Sequence, residues 1–143
     1  MELMLATAVI GLLTALAIPA YSRVTENLKV DRARQDLLVI ANLVQRWRTA
    51  HDFKLPESLG DLTGVPPKDP WGNPYRYLSF SSNAPGINGK IRKDHNLHPL
   101  NTEFDLYSMG PDGDSKSPLT ASASRDDIIW ARDGSFVGKA KDF

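Results

Sequence analysis

Apolar positions fall along this chain in three successive rhythms. From residue 3 to residue 21 no side chain is charged, whereas from Arg23 onward Lys, Arg, Asp and Glu are dense. Val30, Ala33, Leu37, Ile40, Val44 and Trp47 then recur at intervals of three and four, with Asp31, Arg34, Gln35, Gln45, Arg46 and Arg48 mostly off that line. This is the stripe of an amphipathic helix that lays one face on a core. Beyond it the period shortens. Tyr75, Tyr77 and residues 78–80 suggest a first strand, and residues 103–109 alternate polar with apolar as a second. Two more short runs, Ile128-Ile129-Trp130 and Ser135-Phe136-Val137, flank Asp133-Gly134, a pair that favours a hairpin turn.

The pattern predicts an α+β chain: a long N-terminal α-helix whose first half is transmembrane and whose second half is amphipathic, packed on a small antiparallel β-sheet. The expected division is an apolar helix over 1–22 and a head over 23–143. The head consists of a helical continuation over 23–53, a connector over 54–74, and sheet and loops over 75–143. The helix is expected to stop near residues 51–54, ahead of Leu55-Pro56. Turn-formers crowd residues 67–75 around an aromatic pair, which makes a rigid loop. Residues 81–101, rich in Gly, Asn, His and Lys, are expected to form a long surface loop.

Composition narrows the function classes. A head of about 120 residues supports one modest core. Small exported domains of this kind are commonly braced by a disulfide or a metal, and with no cysteine in the chain only the metal is open. Zero formal net charge lacks the basic stripe that nucleic-acid binding requires, so no nucleic-acid partner is expected. No catalytic constellation emerges either. There is no thiol nucleophile and no serine in a nucleophile-elbow setting, and His95 and His98 lie in a polar loop without an evident third ligand.

At about 1.5 Å per residue the first apolar run reaches roughly 28 Å, the thickness of a bilayer's hydrocarbon core. A cleaved secretory signal would need a basic start, yet the only charge ahead of the run is Glu2. A plain anchor would need neither Glu2 nor Gly11 nor Pro19. Proline removes one intrahelical hydrogen bond, so the helix is expected to be able to loosen between Gly11 and Pro19. Small residues at Ala6, Ala8, Gly11, Ala15 and Ala17 allow neighbouring helices to approach closely. Glu2, read alone, is a carboxylate favoured by the helix dipole.

Glu2-Leu3-Met4, followed by Ala8-Val9-Ile10-Gly11-Leu12-Leu13 and Ala17-Ile18-Pro19-Ala20-Tyr21, resembles the N-terminal signature of type IV pilins and type II secretion pseudopilins. Pro70-Trp71-Gly72-Asn73-Pro74-Tyr75 is similar to the element that precedes the first strand in the major pseudopilins of type II secretion. The resemblance implies the pilin fold and a prepilin peptidase that removes a basic leader and methylates the new N-terminus. That leader and the first mature residues are expected upstream of Met1. They would also reverse the charge balance of Arg23, Lys29, Arg32 and Arg34, which by the positive-inside tendency would hold the head in the cytoplasm. It further implies that Glu2 meets the N-terminal amine of a neighbouring subunit, with Gly11 and Pro19 serving assembly. A carboxylate in an apolar bundle is costly unless paired, so unpaired monomers are disfavoured.

Near the C-terminus Met109-Gly110-Pro111-Asp112-Gly113-Asp114 is followed, after a serine-rich stretch, by Ser124-Arg125-Asp126-Asp127-Ile128. Calcium takes six to eight oxygens, which a loop closing Asp112 onto Asp126 and Asp127 could supply; solvated aspartates in turns are the plainer reading. It is not an EF-hand, because Lys116 and Ser117 stand where that loop needs a ligand and a glycine. The run from Asp105 to Gly113 resembles the segment entering the calcium loop of the major pseudopilins, and Asp126-Asp127-Ile128 the acidic pair that closes it. The resemblance implies Asp112, Asp126 and Asp127 as carboxylate ligands of Ca2+, with Met109 and Ser124 adding carbonyl or hydroxyl oxygens. This loop lacks the glycine-rich pattern of the family, having Lys116, Ser117, Pro118 and Leu119 instead.

The implied function is a structural subunit, not an enzyme. Copies would form a homopolymer, a helical filament built with minor pseudopilins on an inner-membrane assembly platform, driving export of folded proteins. Before assembly the chain would sit in the bacterial inner membrane by a single pass, its head in the periplasm. Alternatives are the major subunit of a type IV pilus surface fibre and a membrane-tethered calcium-dependent binding module using the 81–101 loop. A membrane-anchored hydrolase finds no acid/base pair in a suggestive setting.

Overall fold

The computed structural model describes residues 2–82 and 85–143, and Glu2 by its backbone alone. One helix, α1 (Glu2–Ala50), runs through both N-terminal rhythms without a break. It stays helical across Gly11 and Pro19. The threonine hydroxyls in and just beyond the apolar run are satisfied by the helix itself. Thr7 donates to the carbonyls of Leu3 and Met4, Thr14 to those of Ile10 and Gly11, and Thr25 to those of Tyr21 and Ser22. None of them therefore exposes an unmet donor to an apolar medium.

The helix ends where the pattern predicts. Asp52 and Phe53 enter left-handed backbone, and the Phe53 N–H reaches back to the Arg48 carbonyl at 2.9 Å. Four short strands follow: β1 (Arg76–Ser79), β2 (Phe104–Ser108), β3 (Ile128–Ala131) and β4 (Phe136–Lys139). They form one antiparallel sheet in the order β1-β2-β3-β4. Asp133-Gly134 does lie in the β3–β4 connection, but Ala131 pairs with Phe136, so four residues make the turn and not two. A single helical turn, α2 (Ile87–Lys90), interrupts the loop between β1 and β2.

The stripe on α1 meets the sheet as expected. Val30, Ala33, Leu37, Ile40 and Val44 are buried against Phe104, Leu106, Ile128 and Trp130, and the rings of Phe104 and Trp130 stack at 4.7 Å. Two expectations need correction. β2 reads in sequence as half-exposed, yet Phe104, Asp105, Leu106 and Ser108 are all buried. The reason is a second, smaller core on the far face of the sheet, where Leu100, Leu119, Ile129, Ala131 and Ala140 pack together. Residues 81–101, read as a surface loop, supply part of that cover: Ile91, Arg92, Leu100 and Asn101 are buried. Polar composition hid this, because two of those four side chains are polar and go inside only with partners. Asn83 and Ala84 of that segment lie outside the described residues.

Candidate functional site

Two features of the fold carry chemistry: the free end of α1 and the acidic region that follows β2. On α1 the amphipathic stripe begins to be buried at Val30, while every described side chain from Leu3 to Arg23 is exposed. Leu3, Leu5, Ile10, Leu12, Leu16 and Ile18 each expose more than 60% of their surface. At about 25 cal/mol per Å2 so much apolar surface is not left in water, and the segment is long and apolar enough to cross a membrane. Gly11 has nothing within 4 Å of where a side chain would point, so its smallness serves no contact inside the chain. Pro19 likewise sits on the uncovered stretch. The expected pairing role of Glu2 falls on a side chain outside the described residues.

The acidic region is built on the connector loop. Asp69 is buried and acts as its hub: Oδ1 accepts from the N–H groups of Trp71 and Asn73 at 3.0 and 2.8 Å, and Oδ2 from Ser108 Oγ at 2.6 Å. Asn73 Nδ2 then donates to the Gly110 carbonyl at 2.9 Å, and Trp71 Nε1 to Glu26 on α1 at 3.1 Å. The Pro70 to Tyr75 run thus fixes where β2 exits and where the acidic turn begins. Beyond that exit Met109 is buried, with Sδ accepting from Arg76 Nε at 3.3 Å.

The expected calcium ligands separate into two groups. Asp112 is exposed, and its N–H points at Asp126 Oδ2, 3.3 Å away. Asp127 turns the other way: the chain bends at Arg125 and Asp126 before entering β3, and Asp127 comes out of that bend facing the interior. It is fully buried, with Oδ2 accepting from Arg92 Nη2 at 2.5 Å and from Ser115 Oγ at 2.6 Å. Ser124 Oγ is also engaged, accepting from the Lys116 N–H and donating to the Lys116 carbonyl. Burial pushes the Asp127 carboxyl up to about 6 even though the Arg92 guanidinium opposes the shift. Among the described residues no three His, Asp or Glu side chains converge as a metal site. The donor set in this arrangement does not fit one divalent ion, since its two adjacent carboxylates diverge and the inner one already holds a cation.

Sequence reading missed Arg92 and Asp69. Arg92 lies in a polar stretch with no motif, and only its partner 35 residues away reveals it. Asp69 was visible as part of a turn-forming run, but its role depends on Ser108, 39 residues on.

The chain is 31% identical over 133 residues to the type II secretion system core protein G of Pseudomonas aeruginosa, covering 78% of this chain and 80% of that one. It is 26% identical over 136 residues to the protein of the same name from Aeromonas hydrophila, covering 80% and 82%. No family model and no solved structure matches the chain. With nearly a third of positions shared along most of both chains, and with the pilin-like architecture that the N-terminal signature implied, this chain belongs to the type II secretion system core protein G family, the major pseudopilins.

Proposed function

We propose that the chain is a structural subunit that polymerises through α1 into the pseudopilus of a type II secretion system. One observation carries the reading: the first half of α1 is apolar and uncovered, while the second half is bound into the head. A helix so divided needs an apolar surrounding for its free half, which lipid supplies before assembly and other copies of the helix supply afterwards. The head stays at the membrane's outer face, and its role is mechanical and not catalytic. Minor pseudopilins and an inner-membrane platform are the partners this role requires, and a prepilin peptidase prepares the N-terminus.

The test is assembly itself. Expressed from its native coding region together with a type II secretion apparatus, the chain is expected in the sheared filament fraction, with Glu2→Gln subunits retained in the membrane. A wild-type chain that stays monomeric in the membrane while the apparatus polymerises its own major pseudopilin would overturn the proposal.

A further inference from the structure

The interior of the acidic region is organised around a cation that the protein supplies itself. Arg92 is 2% exposed and forms a 2.5 Å ion pair with Asp127, which is fully buried. Its other terminal nitrogen, Nη1, donates to Ser115 Oγ, and the Ser115 hydroxyl donates in turn to Asp127 Oδ2. The guanidinium lies over the Tyr107 ring at 4.1 Å, a face that a cation favours. Its backbone N–H donates to Asp105 Oδ2 at 2.6 Å. Arg92 therefore touches β2, the residue that leads into β3 and the loop between the two strands.

Its neighbours extend the closure. The Lys93 N–H donates to the Ser117 carbonyl at 3.1 Å, and the Leu119 N–H to the Lys93 carbonyl at 2.9 Å. Lys93 is thereby joined to Pro118 by an isolated parallel β-bridge. Asp127 Oδ1 meets no hydrogen-bond donor among the described residues, but it is covered by protein, so an ion would reach it only by displacing that cover. A divalent ion placed there would also face the guanidinium across one carboxylate, two positive charges in a poorly screened interior.

We propose that Arg92 is the resident cation of this loop and that it closes residues 112–127 without a divalent metal. The arginine neutralises the inner carboxylate, binds the loop through Ser115 and anchors it to β2 through Tyr107 and Asp105. The outer pair, Asp112 and Asp126, is left to solvent-facing turn contacts. Breaking a buried ion pair by removing one partner is far more disruptive than removing both, because the survivor is left charged and unpaired. This inference concerns the head alone and stands whether or not the chain polymerises.

The experiment uses the full chain in detergent micelles, with thermal unfolding followed by circular dichroism in chelator and in millimolar CaCl2. The wild-type melt is expected to be the same in both. Arg92→Met should lower it by about 10 °C or more. Arg92→Met combined with Asp127→Asn should recover a large part of that loss, the signature of a coupled pair. If Arg92→Met does not fold, the wild-type comparison and 45Ca2+ equilibrium dialysis against the wild-type chain still decide. A wild-type melt that falls in chelator and returns with calcium overturns the proposal, as does stoichiometric calcium binding at micromolar concentration. An Arg92→Met melt equal to wild type would overturn it equally.

Discussion

The Tyr75 hydroxyl donates to Asp36 Oδ2 at 2.7 Å, joining the end of the connector to the middle of α1 across 39 residues of chain. Burial, together with the negative charge of Asp36, raises the phenol far above its ordinary range, so the tyrosine remains a donor at every physiological pH. The ring itself packs in the main core. Tyr75→Phe keeps that packing and removes only the bond to the carboxylate. It is expected to cost about 1.5–3 kcal/mol, the range for hydrogen bonds to charged groups, and urea unfolding of the pair of proteins would read it.

The free half of α1 should be separable from the head in its effects. Leu12 is 64% exposed and far from the first buried position of the stripe, Val30. Leu12→Lys is expected to place a charge in the apolar segment at a cost of about 2.5–3.5 kcal/mol for membrane insertion. Membrane retention and filament yield should fall together while the near-ultraviolet spectrum and melt of the head stay as in wild type. A matching loss of head structure would show that α1 is not divided as described.

At the mouth of the acidic region, Gly110 has φ +65° and a side chain there would meet the Asp126 carbonyl oxygen at 2.5 Å. Backbone cannot retreat as a flexible side chain can. Gly110→Ala is therefore expected to destabilise by at least about 2 kcal/mol, the left-handed penalty and the close approach acting together. Gly64 makes the comparison, with φ +84° and nothing within 4 Å. Gly64→Ala should cost about 1–2 kcal/mol from backbone conformation alone, and the difference between the two in chemical denaturation isolates the contact with Asp126.

Asp105 predicts a dependence on pH. Burial raises its carboxyl from 3.8 to about 6, against the opposing pull of the Arg92 N–H and Asn101 Nδ2 that it accepts from. The folded state then holds this proton to about pH 6 while the unfolded chain releases it near 4. Between those values the folded state binds more protons, so this group's contribution to stability is greatest below pH 4 and declines as pH rises through 6. The decline is about 3 kcal/mol at full extent. Carbon-13 NMR of the Asp105 carboxyl should titrate near 6, and a midpoint at or below 4 would remove the effect.

The helix and strands were legible because their signals are local. Val30, Ala33, Leu37, Ile40 and Val44 announce a buried face by spacing alone, and Asp133-Gly134 marks a reversal by its backbone preferences. The expectation for β2 failed for a different reason. Whether Asp105 and Tyr107 face water depends on what covers the far side of the sheet, and part of that cover comes from residues 91–101, whose polarity argues for a loop.

By itself the sequence determined the long helix, its division into an apolar and an amphipathic half, the antiparallel sheet and the family, since each rests on spacing or on runs of neighbouring residues. Only the tertiary structure decided that Asp127 faces Arg92 while Asp126 faces Asp112. Adjacent carboxylates look equivalent in a sequence. In the fold the chain bends at Asp126, so that one carboxylate stays at the mouth and the next is buried, and a buried charge must take whichever opposite charge the distant chain brings to it.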